Sequence, residues 1–275
     1  MARSTASGWD ARRGLAWLAL AWAVLGALGG CAAGGHDASP THDIITESDE
    51  PEARKRARIR MELAVGYFEQ GKTSIALDEL KQVITADPTY PEAYNLRGLI
   101  YMRLNDAGQA EDSFRHAIAI NPRDGNTLHN LGWLQCQQRH FDEAERTFEQ
   151  ALANPNYGER AKTLMAQGLC QVRAGHPDVA ERTLAKAYEL DAGNPIVGYN
   201  LANLLYARGE LPRAQFYIRR LNNTELANSE SLWLGVKVER KLGDKVAMAQ
   251  LAEQLKKRFP QSREVTALDR GAFNE

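Results

Sequence analysis

Small side chains recur along most of the chain at a fixed step. Ala76, Ala110, Ala144, Ala180 and Ala214 are separated by 34, 34, 36 and 34 residues, and Ala64, Gly98, Gly132, Gly168, Ala202 and, more weakly, Val236 keep the same period. Large apolar residues follow in register at Leu80, Phe114, Phe148, Leu184 and Ile218, and prolines that end helices stand at Pro88, Pro122, Pro155, Pro195 and Pro260. Each period is read as two helices. Small residues at two fixed points let the helices of a pair approach closely, while the large residues fill the gaps between them. A single pair cannot bury its apolar faces, whereas a stack of pairs shares one continuous core, so the pattern predicts an all-α solenoid. Six units are placed at 57–90, 91–124, 125–158, 161–194, 195–228 and 229–262. The sixth departs most, with Met248 in the alanine register, and is supported by Leu232, Gly243 and Pro260. Two extra residues near Tyr157 to Arg160 are expected to open the turn between the third and fourth units and to change the superhelical pitch there.

Residues 91–124, with Tyr94, Gly98, Tyr101, Ala110, Phe114, Ala117 and Pro122, resemble the tetratricopeptide repeat, departing at Arg97 where leucine is usual. The resemblance implies a right-handed superhelix whose concave groove is lined by the first helix of each unit. Carried onto this chain, the lining is Met61, Val65 and Phe68, then Asn95, Leu99 and Met102, then His129 and Trp133. It continues through Met165, Leu169 and Val172, then Tyr199, Asn203 and Tyr206, and ends at Trp233. Aromatic and methionine side chains supply anchor area for a bound peptide, and asparagine amides can pair with its backbone. Helical stripes of this kind are also what a core looks like, so part of the set is expected to be buried.

The ends of the chain read differently. Arg3, Arg12 and Arg13 precede an uncharged apolar run from Gly14 to Gly30, a positive n-region followed by an h-region. The run is shorter than the ~20 residues of a spanning helix, which favours a cleaved signal peptide over an uncleaved anchor helix. Leu28-Gly29-Gly30-Cys31 resembles the lipobox of bacterial lipoproteins, which implies a lipidated Cys31. Ala32 in place of aspartate resembles an outer-membrane sorting signal. Residues 31–56 read as a flexible acidic tether, because they carry Asp37, Asp43, Glu47, Asp49, Glu50 and Glu52 among several breakers. Residues 263–275 read as a C-terminal tail.

The whole chain has 275 residues and a formal net charge of -1, which excludes capture by nucleic acid through bulk charge. The six histidines show no metal-ligand spacing, and neither a phosphate-cradling glycine loop nor a nucleophile elbow is present, so no enzyme, cofactor or metal is expected. Cys136 and Cys170 fall on the first helices of adjacent units, 34 residues apart. In an oxidising compartment they can form a disulfide; a pair of buried thiols is the equal alternative. The basic run Lys237, Arg240, Lys241, Lys245, Lys256, Lys257 and Arg258 suits an acidic partner or a solvated face.

Taken together, the lipobox, the acidic tether and the six repeats are similar to the type IV pilus biogenesis/stability lipoproteins of the PilW/PilF type. Asn154-Pro155-Asn156-Tyr157, Gly168-Leu169-Cys170, Glu230-Ser231-Leu232-Trp233-Leu234-Gly235 and Leu255-Lys256-Lys257-Arg258-Phe259-Pro260 carry the resemblance. It implies a pilotin-like outer-membrane lipoprotein that binds the pilus secretin subunit and promotes its localisation and multimerisation. Another periplasmic repeat lipoprotein, an adaptor in outer-membrane protein assembly or a scaffold for cell-wall enzymes, is the alternative.

Overall fold

The computed structural model describes residues 51–273. Twelve helices form six antiparallel pairs: α1 (Glu52–Glu69) with α2 (Thr73–Ala86), α3 (Pro91–Arg103) with α4 (Ala107–Ile120), and α5 (Gly125–Gln137) with α6 (Phe141–Ala153). They continue with α7 (Arg160–Arg173) and α8 (Pro177–Leu190), α9 (Pro195–Ala207) and α10 (Leu211–Asn222), and α11 (Ser229–Leu242) and α12 (Lys245–Arg258). A thirteenth, α13 (Arg263–Arg270), follows. Among the described residues there is no strand. The expected all-α superhelical repeat is the observed architecture.

The period has a direct packing cause. Glycine or alanine at the eighth residue of a unit lies against the large side chain at its twenty-fourth. A Cβ on Gly98 would overlap the Phe114 ring, with Cδ1 only 2.6 Å away; one on Gly132 would lie 2.9 Å from the Phe148 ring, and one on Gly168 2.6 Å from Leu184 Cγ. Phe114, Phe148 and Leu184 are consequently fully buried. Alanine also occupies the eighth position: Ala64 shares its core cluster with Leu80, and Ala202 with Ile218. The sixth unit inverts the sizes, with Val236 at the eighth position and Ala252 at the twenty-fourth in one cluster.

The turn inside each unit obeys a second rule that the apolar pattern does not announce. The fifteenth residue of every unit has a positive φ: Gly71 (75°), Asn105 (59°), Arg139 (66°), Gly175 (82°), Gly209 (78°) and Gly243 (80°). A left-handed residue there ends the first helix and reverses the chain into the second.

Contacts between helices set the curvature. Successive first helices touch, α1 with α3, α3 with α5, α5 with α7, α7 with α9 and α9 with α11, whereas successive second helices do not. A layer held close on one side and splayed on the other bends toward the close side, so the first helices line the concave face.

Two boundaries move. Helix α1 begins at Glu52 rather than at 57, because Arg54 reaches back to the end of the unit, pairing with Asp87 at 2.8 Å and lying 4.5 Å from the Tyr90 ring centroid. Glu52 to Arg56 are helix and not tether. Residues 263–270, expected to be tail, form α13, capped by Ser262 and packed on α11 and α12 through Val265. The insertion between the third and fourth units is a tight plug. Tyr157 is buried against Gly125, where a Cβ would come within 2.5 Å of the ring, and Arg160 Nη1 donates to the Leu152 carbonyl at 2.5 Å.

Candidate protein-binding groove

The concave face combines a half-buried apolar floor with a few polar anchors. Phe68, Leu99, Met102, Trp133, Tyr199 and Tyr206 are half-buried, and Asn203 is exposed. Asn95 is also half-buried, and its Oδ1 accepts from Asn130 Nδ2 at 2.9 Å, which ties α3 to α5. Val65 and Val172 are each 36% exposed. Met61, Met165 and Leu169 are half-buried.

Two members of the expected lining are not groove surface. His129 is only 7% exposed, and its Nδ1 lies 2.9 Å from Thr163 Oγ1, which in turn lies 2.9 Å from the Tyr157 hydroxyl. The insertion plug that buries Tyr157 therefore buries His129 as well. Burial, helped by the Lys162 charge, lowers the His129 pKa to about 4, so the ring is neutral at physiological pH. Trp233 is 7% exposed because Phe273 stacks on it at 5.2 Å between centroids. The segment read as a tail thus covers the last unit's share of the groove.

Cys136 on α5 and Cys170 on α7 are joined by a disulfide, with their Cα atoms 5.8 Å apart. Both are buried, and Trp133 and Phe141 pack on the cluster they form with Ala144, Phe148 and Ala166. The bridge fixes the third unit to the fourth directly beneath Trp133.

Sequence reasoning missed how the aromatics are covered. The Arg103 guanidinium stands 3.8 Å from the Phe68 ring centroid, Arg173 5.1 Å from Trp133, and Lys241 4.2 Å from Tyr206. Arg103, Arg173 and Lys241 are each the thirteenth residue of the second, fourth and sixth units, a regularity visible only once the helices are registered. Glu239 was missed too. This carboxylate is fully buried on α11 and accepts from Arg219 at 2.6 and 2.9 Å and from Gln215 at 2.8 Å.

Cys31 lies outside the described residues. Among the described residues, no helix is long and apolar enough to cross a membrane, and no cluster of three His, Cys, Asp or Glu could hold a metal ion.

With repeat, groove and register in place, the comparisons with known proteins are specific. Models of the tetratricopeptide repeat match residues 66–105, 89–154, 129–195 and 171–232, an unbroken run along the solenoid. The chain belongs to the tetratricopeptide-repeat proteins. Over nearly its whole length it is similar to the type IV pilus assembly protein PilF of Pseudomonas aeruginosa, 26% identical over 246 residues, or 90% of this chain and 95% of that protein. The fold matches the solved structure of Pseudomonas aeruginosa pilF with a TM-score of 0.73 at 24% identity, covering 80% of this chain and 100% of the other. The structure of PilW, described as a widely conserved type IV pilus biogenesis factor, matches with a TM-score of 0.69 at 27% identity, over 77% of this chain and 97% of that one.

Proposed function

We propose that the chain is a lipid-anchored outer-membrane protein of type IV pilus biogenesis that binds the pilus secretin subunit on its concave face and promotes secretin localisation and multimerisation. The observation that carries the reading is the end-to-end similarity to PilF, which spans the repeats and reaches into the segment before them. The concave face gives the reading a mechanism. Half-buried aromatics with exposed edges offer anchor area at small entropic cost, and the Cys136–Cys170 bridge holds the central units rigid so that binding need not order them. Lipidation of Cys31 would keep the groove at the periplasmic face of the outer membrane, since two or more acyl chains anchor stably.

Deletion of the coding sequence is expected to abolish surface pili and twitching motility and to leave the secretin as monomers, read as loss of its multimer on a denaturing gel. Persistence of normal multimers would overturn the reading. Affinity capture should retrieve the secretin; capture of a cell-wall enzyme or an outer-membrane assembly factor instead would favour the adaptor alternative. Intact mass should place the mature N-terminus at an acylated Cys31, and Cys31→Ser should release the protein from outer membranes. A Cys31→Ser protein that still pellets with them would refute the anchor.

A further inference from the structure

We propose that the concave face recognises an extended acidic polypeptide segment, its carboxylates pairing with Arg103, Arg173 and Lys241 while its backbone lies over the aromatic rings those cations cover. The inference rests on the reading of the groove as the partner site and specifies the partner's chemistry.

Three observations converge. The first is absence of intramolecular pairing. Several arginines on other faces hold carboxylates, as Arg60 does Glu79 at 2.8 Å, Arg213 does Glu210 at 2.6 Å and Arg219 does Glu239 at 2.6 Å. Arg173 and Lys241 have no carboxylate partner among the described residues, and Arg103 donates only to the Phe68 carbonyl at 2.7 Å. The second is composition. At the ninth, twelfth and thirteenth positions of units two to six the inner stripe carries Arg103, Arg173, Lys237, Arg240 and Lys241 and no Asp or Glu. The third is placement. A cation stacked on an aromatic ring keeps its fork or ammonium aimed outward at a fixed height, pre-organised for an anion at little entropic cost. Lys237, between the Tyr206 and Trp233 rings at 5.5 and 5.8 Å, is partly buried, and burial followed by the Lys241 charge lowers its pKa, so an incoming carboxylate would relieve it.

Shape selects the occupant. A planar membrane surface cannot follow a concave face, and a small anion would meet one cation at a time. The three cations recur every second unit. First helices in contact lie roughly 9 Å apart, so the cations are spaced roughly 18–20 Å. An extended chain covers that distance in about six residues.

The test uses soluble full-length protein carrying Cys31→Ser and a fluorescein-labelled 20-residue peptide of Ala, Ser and Leu with Glu at every sixth position. The same peptide with Gln, and with Lys, serves for comparison, together with phosphatidylglycerol vesicles. Binding of the Glu peptide is expected at least tenfold tighter than that of the Gln peptide in low salt, falling steeply as salt is raised, with none of the Lys peptide. Arg103→Gln, Arg173→Gln and Lys241→Gln are each expected to weaken it about fivefold, while Lys257→Gln on α12 leaves it unchanged. Equal affinity for Glu and Gln peptides, salt-independent binding, insensitivity to the three substitutions, or vesicle binding lost with them would each overturn the proposal. The salt series on the unsubstituted protein decides the matter without any variant. The two readings fail separately. If deletion abolishes pili but the triple glutamine variant restores them fully, the acidic-segment proposal falls and the pilus reading stands; if deletion leaves pili intact, the pilus reading falls whatever the peptide does.

Discussion

One added methyl group at Gly98 tests the packing rule at its tightest point. Alanine normally stabilises a helix over glycine by ~0.5–1 kcal/mol. Here its Cβ would enter the space of the Phe114 ring, which is fully buried and cannot swing away. Gly98→Ala is therefore expected to destabilise by about 1–3 kcal/mol in denaturant unfolding, and Gly98→Ala with Phe114→Leu to recover much of the loss. A second residue-scale consequence follows from His129. Its pKa is about 4 in the fold against 6.5 in an unfolded chain, so between those values the unfolded state binds more protons. Its contribution is fully present above pH 6.5, is lost progressively as pH falls, and is gone below pH 4; the pKa gap corresponds to roughly 3 kcal/mol. The stability of the native protein relative to His129→Gln should be constant above pH 6.5, fall by roughly 3 kcal/mol as pH is lowered to 4, and level off below. His129 also shows why the groove was only partly legible. Its helical register matches that of Trp133, one turn away, and nothing in that register reveals that Thr163 of α7, itself held by Tyr157 of the insertion, meets the imidazole and not the indole.

At the scale of elements, the left-handed residue at each intra-unit turn makes Arg139 an exception among glycines and an asparagine. A Cβ in that conformation costs about 1–2 kcal/mol, part of which glycine returns through its larger unfolded-state entropy. Arg139→Gly is expected to stabilise by roughly 0.5–1 kcal/mol, seen as a raised melting temperature, whereas Gly175→Arg should do the reverse. Arg139 could not be recognised from residue type, since nothing in arginine announces a positive φ, whereas asparagine at Asn105 is a residue that tolerates one. Helix α13 escaped for a related reason. Arg263, Glu264, Asp269 and Arg270 make it look like solvated chain, and it gains its order from tertiary partners: the Ser262 cap, Val265 in the last cluster and Phe273 on Trp233. The paired helices themselves were legible, since small and large residues in fixed register are required by the backbone approach they permit.

Across the whole molecule, each unit touches only its neighbours, and stability spreads along the stack through those interfaces. The disulfide adds a covalent link between the two central units. Closing a loop of 34 residues, it is expected to contribute about 3–4 kcal/mol by restricting the unfolded chain. Reduction, or Cys136→Ser with Cys170→Ser, should lower the melting temperature, and unfolded unreduced protein should show no reactive thiol at either position. The size exchange between the eighth and twenty-fourth residues reaches beyond stability. Gly faces Phe in two units and Leu in a third, and Ala shares a cluster with Leu or Ile in two more, so the eighth and twenty-fourth residues of a unit are fitted to one another across two helices. Recombination that exchanges entire units preserves that fit, whereas a crossover falling in the turn inside a unit can join an Ala64-type helix to a Phe114-type helix, where even one added Cβ has no room. The viable breakpoints for shuffling these repeats, in a laboratory library or in a lineage, therefore lie between units and not within them.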